Sequence, residues 1–437
     1  MTITIVRQAI LALALFVFAL PAQAVLQIEI TQGVEGALPI AITPFKLDPG
    51  EARPPEDIAA IVATDLRSSG LFSPVPAAEF PEQLDSASDV NYQLWRNRGI
   101  EKIVFGSIDA TSEGGYDVQF GLLDAIYGEP LTGYSIPTTR TDLRRAAHKI
   151  SDLIFEKLTG MPGAFSTRVA YISTQLLASG KKQYVLQVAD SDGYNPNTIF
   201  TSDWPIMSPA WSPDGSRIAY VSFESQRPEI FIQEVAGGTR FSAAGPTRLN
   251  SAPSWSPDGQ RLALTRSENG NPDIYILDLA SDNLTRLTDY SSIDTEPVWM
   301  PDGESLVFTS DRTGGPQLYK VSASGGEPQR LTFEGNYNAD ADISPNGEEI
   351  AMVHRDGSGY HIAVQDLQSG QMRVLTQGRL DESPSFAPNG SMILYGMTYG
   401  GREVLAAVSQ DGRARQRLRL QEGEVREPVW GPLSEVP

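Results

Sequence analysis

The 437-residue chain has no cysteine, which excludes disulfide frameworks, thiolate zinc sites and cysteine nucleophiles. Histidine is scarce: only His148, His354 and His361 are present. His148 falls in a helical pattern and the other two flank a Gly-rich hairpin tip. A zinc triad would need them to coincide in space, so structural roles are expected. Long apolar runs are also missing. The longest, Ala9 to Leu20, is shorter than the roughly 20 residues that a bilayer-crossing helix needs. Arg7 precedes that run, and Pro21 and Ala22-Gln23-Ala24 follow it, a small-x-small site that signal peptidase accepts. The expectation is export, with residues 1–24 as signal peptide, cleavage before Val25, no lipid anchor there and no insertion in the membrane. Basic residues are outnumbered 34 to 54, for a net charge of −20. A surface that acidic repels phosphate backbones and argues against nucleic acid as a partner. Enzymatic signatures are missing as well: no Gly-x-Ser-x-Gly elbow, no Walker loop and no Gly-x-Gly-x-x-Gly between strand and helix.

What is present is a repeat. Trp211-Ser212-Pro213-Asp214-Gly215 recurs as Trp255-Ser256-Pro257-Asp258-Gly259 and as Trp299-Met300-Pro301-Asp302-Gly303. Weaker copies start at Ile343 and Phe386, and a truncated one at Trp430-Gly431-Pro432. The anchors are spaced by 44, 44, 44, 43 and 44 residues, a period that with strand-like segments marks propeller blades. Pro presets the turn after each anchor, and Asp and Gly suit the bend that follows. Arg168 to Ser173 nearly copies Arg217 to Ser222 but has no anchor turn before it, whereas the anchor at Trp430 has no strands after it. If Glu427 to Trp430 lies beside residues 168–173, the two partial repeats make one blade. The ring then closes at six blades with no open sheet edge. Repetition of the tryptophans in blade after blade assigns them to packing. Arg413, Arg415, Arg417 and Arg419 alternate along a fourth strand and are expected on a solvated perimeter face.

Residues 25–160 lack the period. Val25 to Ile30, Pro39 to Phe45, Lys102 to Ile108 and Tyr116 to Ala125 read as strands. Ile58, Ile61, Val62 and Leu66 mark one helix, and Leu143, Ala147, Ile150, Ile154 and Leu158 another. The expected architecture is therefore a mixed α/β domain over 25–160 followed by an all-β six-bladed propeller over 161–437. Function should lie where the blades differ at one end of the ring, in the links that lead into each anchor strand. Three positions before the anchors stand Ser208, Ala252, Glu296, Asp340, Ser383 and Glu427, with Met207 and Thr295 beside them. A converging acidic set, Glu296, Asp340, Asp342, Asp381, Glu382 and Glu427, suits a cation or a partner's basic or amide groups. Alternatively, these carboxylates cap turns by accepting backbone N–H groups. The Val25-Leu26-Gln27-Ile28-Glu29-Ile30 segment is short, β-prone and alternating, so it either stays in its own domain or pairs with a partner's sheet edge.

The chain resembles the TolB family, periplasmic propellers of the Tol-Pal system in Gram-negative bacteria. The likeness rests on Pro55-Glu56-Asp57-Ile58, Ile61-Val62-Ala63-Thr64-Asp65-Leu66-Arg67, Phe155-Glu156-Lys157-Leu158-Thr159-Gly160, Met207-Ser208-Pro209-Ala210-Trp211, Thr295-Glu296-Pro297 and Leu380-Asp381-Glu382-Ser383-Pro384. It implies a non-enzymatic, monomeric scaffold that couples the inner-membrane protein TolA to the lipoprotein Pal, with other outer-membrane proteins as further partners. It also implies a role in outer-membrane integrity and in constriction during division. Pal would dock at the channel mouth, on positions that match Leu249, Ala252, Thr295 and Glu296, and TolA would take the N-terminal segment. Similar family members have a histidine where Leu249 stands, so a titratable contact is lost here. Some members hold calcium in the channel, which the carboxylates would permit. The competing reading is a propeller enzyme or small-molecule binder that uses the channel; it needs a nucleophile or a metal-ligand set there.

Overall fold

A computed structural model describes residues 27–32, 36–47, 54–84, 88, 90–112, 114–247, 249–267, 270–419 and 423–433. The expected signal peptide and cleavage site, and with them Val25 and Leu26, lie outside the described residues.

Six blades form the larger part. Blades 1 to 5 each begin with an inner strand that carries an anchor: Ile206–Trp211, Leu249–Trp255, Asp294–Trp299, Asn338–Ile343 and Asp381–Phe386. Three further antiparallel strands follow in order outward. Blade 6 is built from both ends of the array. Its inner strand, Glu424–Trp430, pairs antiparallel with Arg168–Leu176, and Lys182–Asp190 and Asn197–Ser202 complete it. Closure through the termini therefore occurs as the partial repeats suggest.

The repeat residues join the blades. Trp211, Trp255 and Trp299 are buried, and each indole N–H donates to a carbonyl of the preceding blade: Val429 at 3.2 Å, Ala210 at 3.1 Å and Ser254 at 3.2 Å. From that preceding blade Arg168, Arg217 and Arg261 lay their guanidinium groups over the same rings, 4.5 to 5.1 Å from the ring centres. In the turn itself Asp214 accepts the Ser216 N–H and Ser212 Oγ accepts the Arg217 N–H. Gly215 has φ +66°, which admits few side chains, and Pro432 of blade 6 packs against its open face. The tryptophans are thus packing residues that also set the spacing between blades.

The smaller domain is a mixed sheet. Leu38–Ile42 pairs in parallel with Phe72–Pro74 and Lys102–Ala110, and Tyr116–Asp124 and Glu129–Thr138 extend it antiparallel. Helices α1 (Ile58–Ser68) and α3 (Leu143–Thr159) cover one face through Ile58, Val62, Leu66, Ile150 and Ile154; the short α2 (Tyr92–Asn97) covers the other through Trp95. Asp57 caps α1 by accepting the Ala60 N–H, and Gly160, at φ +79°, ends α3. This domain sits on the propeller face that carries the anchor turns: on α3 Arg144 binds Asp192 of blade 6 and His148 Nε2 lies 3.5 Å from the same carboxylate, while Asn389 of the blade 5 anchor turn donates to Pro162 O, in the connection after α3, at 2.8 Å.

Two expectations are corrected. Gln27–Gln32 belongs to neither its own domain's sheet nor solvent but adds a fifth strand outside Arg415–Arg419 of blade 5. The arginine strand is accordingly no bare perimeter. Arg415 donates to Leu375 O, and Arg417 stacks 3.5 Å above the Tyr399 ring centre and pairs with Glu29 at 3.4 Å. Alternation along the strand gave its faces correctly, but its pairing partner lies almost 400 residues earlier.

Candidate partner-binding surface

Strand direction alternates within a blade, so the links from one blade's outer strand to the next blade's inner strand share one face of the ring. The anchor turns and the smaller domain occupy the other. Each inner strand starts at the link face and runs along the channel wall. In all six, one residue departs from extended backbone: φ is 51° at Ser208, 47° at Ala252, 54° at Glu296, 51° at Asp340, 52° at Ser383 and 48° at Glu427. Five of these precede a proline (209, 253, 297, 384 and 428), which disfavours the right-handed helical region at that position. The ladder shifts register at each of them, as a β-bulge does when it re-aims a side chain. These residues were expected in the links. They lie instead inside the inner strands, because pairing resumes before the bulge, for example from Met207 to Val221.

The acidic residues serve mostly to join blades. The Asp340 N–H donates to Glu296 Oε2 at 2.9 Å, and the Ser383 N–H donates to Asp340 Oδ2 at 3.0 Å. The Ser208 N–H donates to Glu427, and the Phe386 N–H to Asp342 Oδ2 at 2.6 Å. Each bond crosses to the following blade. Asp381 acts locally, accepting the Gly378 N–H and the Thr376 hydroxyl and so fixing the link into blade 5. Glu382 lies near Glu403 and Arg426. Burial raises the pKa of Asp340 well above the usual range, and Glu296, Glu427 and Glu382 add repulsion. Burial likewise takes Asp342 to about 6 and lifts Asp381, Glu382 and Glu427. The throat is therefore short of positive charge although most of its carboxylates have N–H partners.

Around this throat lies an apolar collar that the sequence reading passed over, apart from Met207. Trp204, Met207, Tyr290, Ile293, Phe333 and Leu380 all come from the links or the first turn of wall after them, and all are exposed, Tyr290 by 57% and Phe333 by 71%. Exposed aromatic and apolar residues grouped around a polar centre are the composition of a protein-binding patch. Their signal in the sequence was their occurrence where turn residues predominate. Leu249, Ala252, Thr295 and Glu296 are partly exposed on the walls of blades 2 and 3. The Thr265 hydroxyl contacts Thr295 Oγ1 at 3.3 Å and accepts the Glu296 N–H at 3.1 Å.

Among the described residues, one group of three possible metal ligands comes together, Asp65, His148 and Asp192. It lies between the smaller domain and blade 6, and the Arg144 guanidinium already binds Asp192. No nucleophile–base pair lies among the channel residues named above.

Residues 26–131 match the TolB amino-terminal domain and residues 155–434 the TolB β-propeller domain. The chain belongs to the TolB family. It is 64% identical over 415 residues to the Tol-Pal system protein TolB of Thioalkalivibrio sulfidiphilus, with 95% of each chain covered. With the Nitrosococcus oceani protein of the same name it shares 62% over 409 residues, 94% of each. The crystal structure of TolB from Acinetobacter baumannii superposes with a TM-score of 0.87 at 42% identity, covering 93% of this chain and 100% of that one. As a TolB-family chain it is a component of the Tol-Pal system, and the family's propeller and amino-terminal domain are the two parts described above.

Proposed function

We propose that the chain is a non-enzymatic periplasmic scaffold that binds Pal on the link face of the propeller and TolA through its N-terminal strand. In this role it supports outer-membrane integrity and constriction at division. The observation that carries the reading is the apolar collar around an acidic throat, which offers a partner both surface to bury and a centre that rewards a basic or amide group. The N-terminal strand supports the second half. Held outside blade 5 chiefly by main-chain pairing, it is a segment that another sheet edge can accept in the same way. An enzymatic use of the channel has less support, because its carboxylates are largely occupied by N–H groups. Calcium in the throat would require the carboxylates of Glu296, Asp340, Glu382 and Glu427 to draw closer together, since among the described residues only Asp65, His148 and Asp192 bring three donor atoms within 4.8 Å of one another; bound there, it would relieve the repulsion among them.

The test is calorimetry with Pal. Phe333→Ser, which truncates an exposed collar residue, should weaken Pal at least tenfold and leave the melting curve unchanged. Ala252→Trp should act in the same direction through the wall. Wild-type affinity in both folded variants would move the site off this face.

A further inference from the structure

Two of the three histidines stand apart from both the channel wall and the interdomain cluster. His354 and His361 are register partners on the second and third strands of blade 4, Glu349–Arg355 and Tyr360–Asp366, and both are buried. Because strand direction alternates, the hairpin that joins these strands stands on the link face. There it lies between the link that presents Phe333 and the link that presents Leu380.

Toward blade 3, His354 makes the contact. Its Nδ1 lies 2.8 Å from Asn338 Oδ1. The Asn338 amide nitrogen donates to Gln317 Oε1 at 3.0 Å and to Glu334 O at 2.8 Å. Its oxygen is therefore the acceptor, and the proton of the neutral imidazole sits on His354 Nδ1. The ring also covers Gly335, where a Cβ would stand 2.6 Å from His354 Cε1, and the Arg355 N–H donates to Tyr337 O at 3.1 Å. Thr332, at the other end of the same link, donates to Gln317 Oε1 at 2.7 Å. Phe333 thus rides on a segment tied at both ends, and His354 closes one of the ties. Toward blade 5 the contact lies at the hairpin tip. His361 Nε2 braces that tip, 2.9 Å from Ser358 Oγ and 3.1 Å from Asp356 Oδ1. A Cβ on Gly359 would stand 2.7 Å from Arg379 O, and the Tyr360 N–H donates to the same carbonyl at 3.1 Å. Tyr360 also forms a bridge with Leu380.

We propose that His354 is a positioning residue for partner binding: through the blade 4 hairpin it sets the two links that carry Phe333 and Leu380 in the arrangement that Pal takes. This rests on the link face being the Pal site. The imidazole also supplies a signature of the held state that a mere filler would lack. Burial lowers the pKa of His354 below 6.5; Asp356 of its own hairpin and Glu334 of the link oppose that, and His361 across the ladder adds to it. The cover comes from the link, at Gly335 and Asn338, so lifting the link wets the ring and returns its pKa toward 6.5. The lifted form then binds more protons than the held one. The held form keeps its full advantage above pH 6.5 and loses it as pH falls below that value, by at most roughly tenfold per unit.

Calorimetry with Pal and hydrogen exchange on the free, full mature chain test this. His354→Ala should weaken Pal at least threefold at pH 7.5. His354→Asn, whose amide nitrogen takes the place of Nδ1 as donor to Asn338, should recover most of that loss. Gly359→Ala, whose methyl group pushes on Arg379 without entering the collar, should weaken Pal in the same direction and serves if His354→Ala does not fold. Protection of the Arg355 amide, corrected for intrinsic exchange, should fall at least twofold from pH 7.5 to 5.5 in wild type and stay level in His354→Asn. Phe333→Ser separates the two readings. If it weakens Pal while the folded His354→Ala and Gly359→Ala bind as wild type, the positioning role alone is overturned. If Phe333→Ser also binds as wild type, the Pal site lies elsewhere and both readings fall. Wild-type protection at Arg355 that does not change with pH would likewise overturn the role given to His354.

Discussion

Two strands join sheets far from their place in the chain, and they are held by different means. Glu424–Trp430 enters blade 6 on the inside, where Val425 is buried and packs with Val169, Tyr171, Leu394 and Leu405. Gln27–Gln32 joins blade 5 on the outside, with Glu29, Thr31 and Gln32 exposed. Ladder hydrogen bonds are common to both. Only the inner strand removes apolar surface from water between two blades, at about 25 cal/mol per Å². Beyond its ladder the outer strand has, among the described residues, the Thr31 hydroxyl donating to Arg415 O at 3.1 Å and the Glu29–Arg417 ion pair, whose acid is half exposed, and such pairs contribute about 0–1 kcal/mol. The same pairing pattern therefore closes a buried ring in one place and makes a largely exposed attachment in the other.

The comparison can be broken most strongly from the C-terminus. A chain that ends at Gly423 loses the inner strand of blade 6 with its buried Val425 and the partly buried Trp430 anchor, and removal of core aliphatic or aromatic side chains costs about 2–5 kcal/mol each. Its thermal midpoint should fall by more than 10 °C, or its cooperative transition should vanish. A midpoint within two degrees of wild type would show that the strand closes nothing.

A smaller effect is expected at Asp342, whose carboxylate joins blade 4 to blade 5. Its folded pKa, about 6, lies above the ordinary 3.8, so the folded state favours the protonated form. The cost of burying the charge is in full force at pH 7 and is relieved as pH falls from 6 toward 3.8. Asp342→Asn should therefore stabilise the chain at pH 7 by about 1–3 kcal/mol, because Asn can still accept the Phe386 N–H, and the gain should shrink toward zero near pH 4. Denaturant unfolding at the two pH values measures it. The smallest effect belongs to the outer strand: a mature chain that begins at Gly33 should melt within about 3 °C of wild type while losing TolA in a binding assay. A large loss of stability would place the strand in the same class as the inner one.

Blade number and closure were legible because six anchors at a nearly constant spacing leave little freedom, and because each terminal fragment lacks what the other has. The helices α1 and α3 were legible from Ile58, Ile61, Val62, Leu66 and from Leu143, Ala147, Ile150, Ile154. The short α2 and the strand Glu129–Thr138 escaped notice: α2 is under two turns long, and the strand carries Pro130, Gly133 and Pro137. Bulges at Ser208 and its counterparts had a signal in the recurring proline two residues before the anchor, since proline inside a strand marks a bulge or an edge. That proline was read as part of a link. The partner of Gln27–Gln32 and the pairing of His148 with Asp192 had no local signal, because both depend on how distant segments meet.

The carboxylate-to-amide bonds divide the ring into parts that can and cannot vary independently. Glu296 holds the backbone at Asp340, Asp340 holds Ser383, and Glu427 holds Ser208, so a change in one inner strand is felt in the next. An inserted residue there would displace the neighbour's contact as well as its own. The links are tied mainly to the hairpins beside them, as where Asn271 donates to Tyr290 O, the Ile293 N–H donates to Asp311 and the Thr398 N–H donates to Leu380 O, and it is they that present Trp204, Tyr290, Ile293, Phe333 and Leu380. Divergence can therefore proceed link by link, exchanging the chemistry offered to a partner while the wall behind it stays in register. A designer could graft new links onto this ring on the same terms.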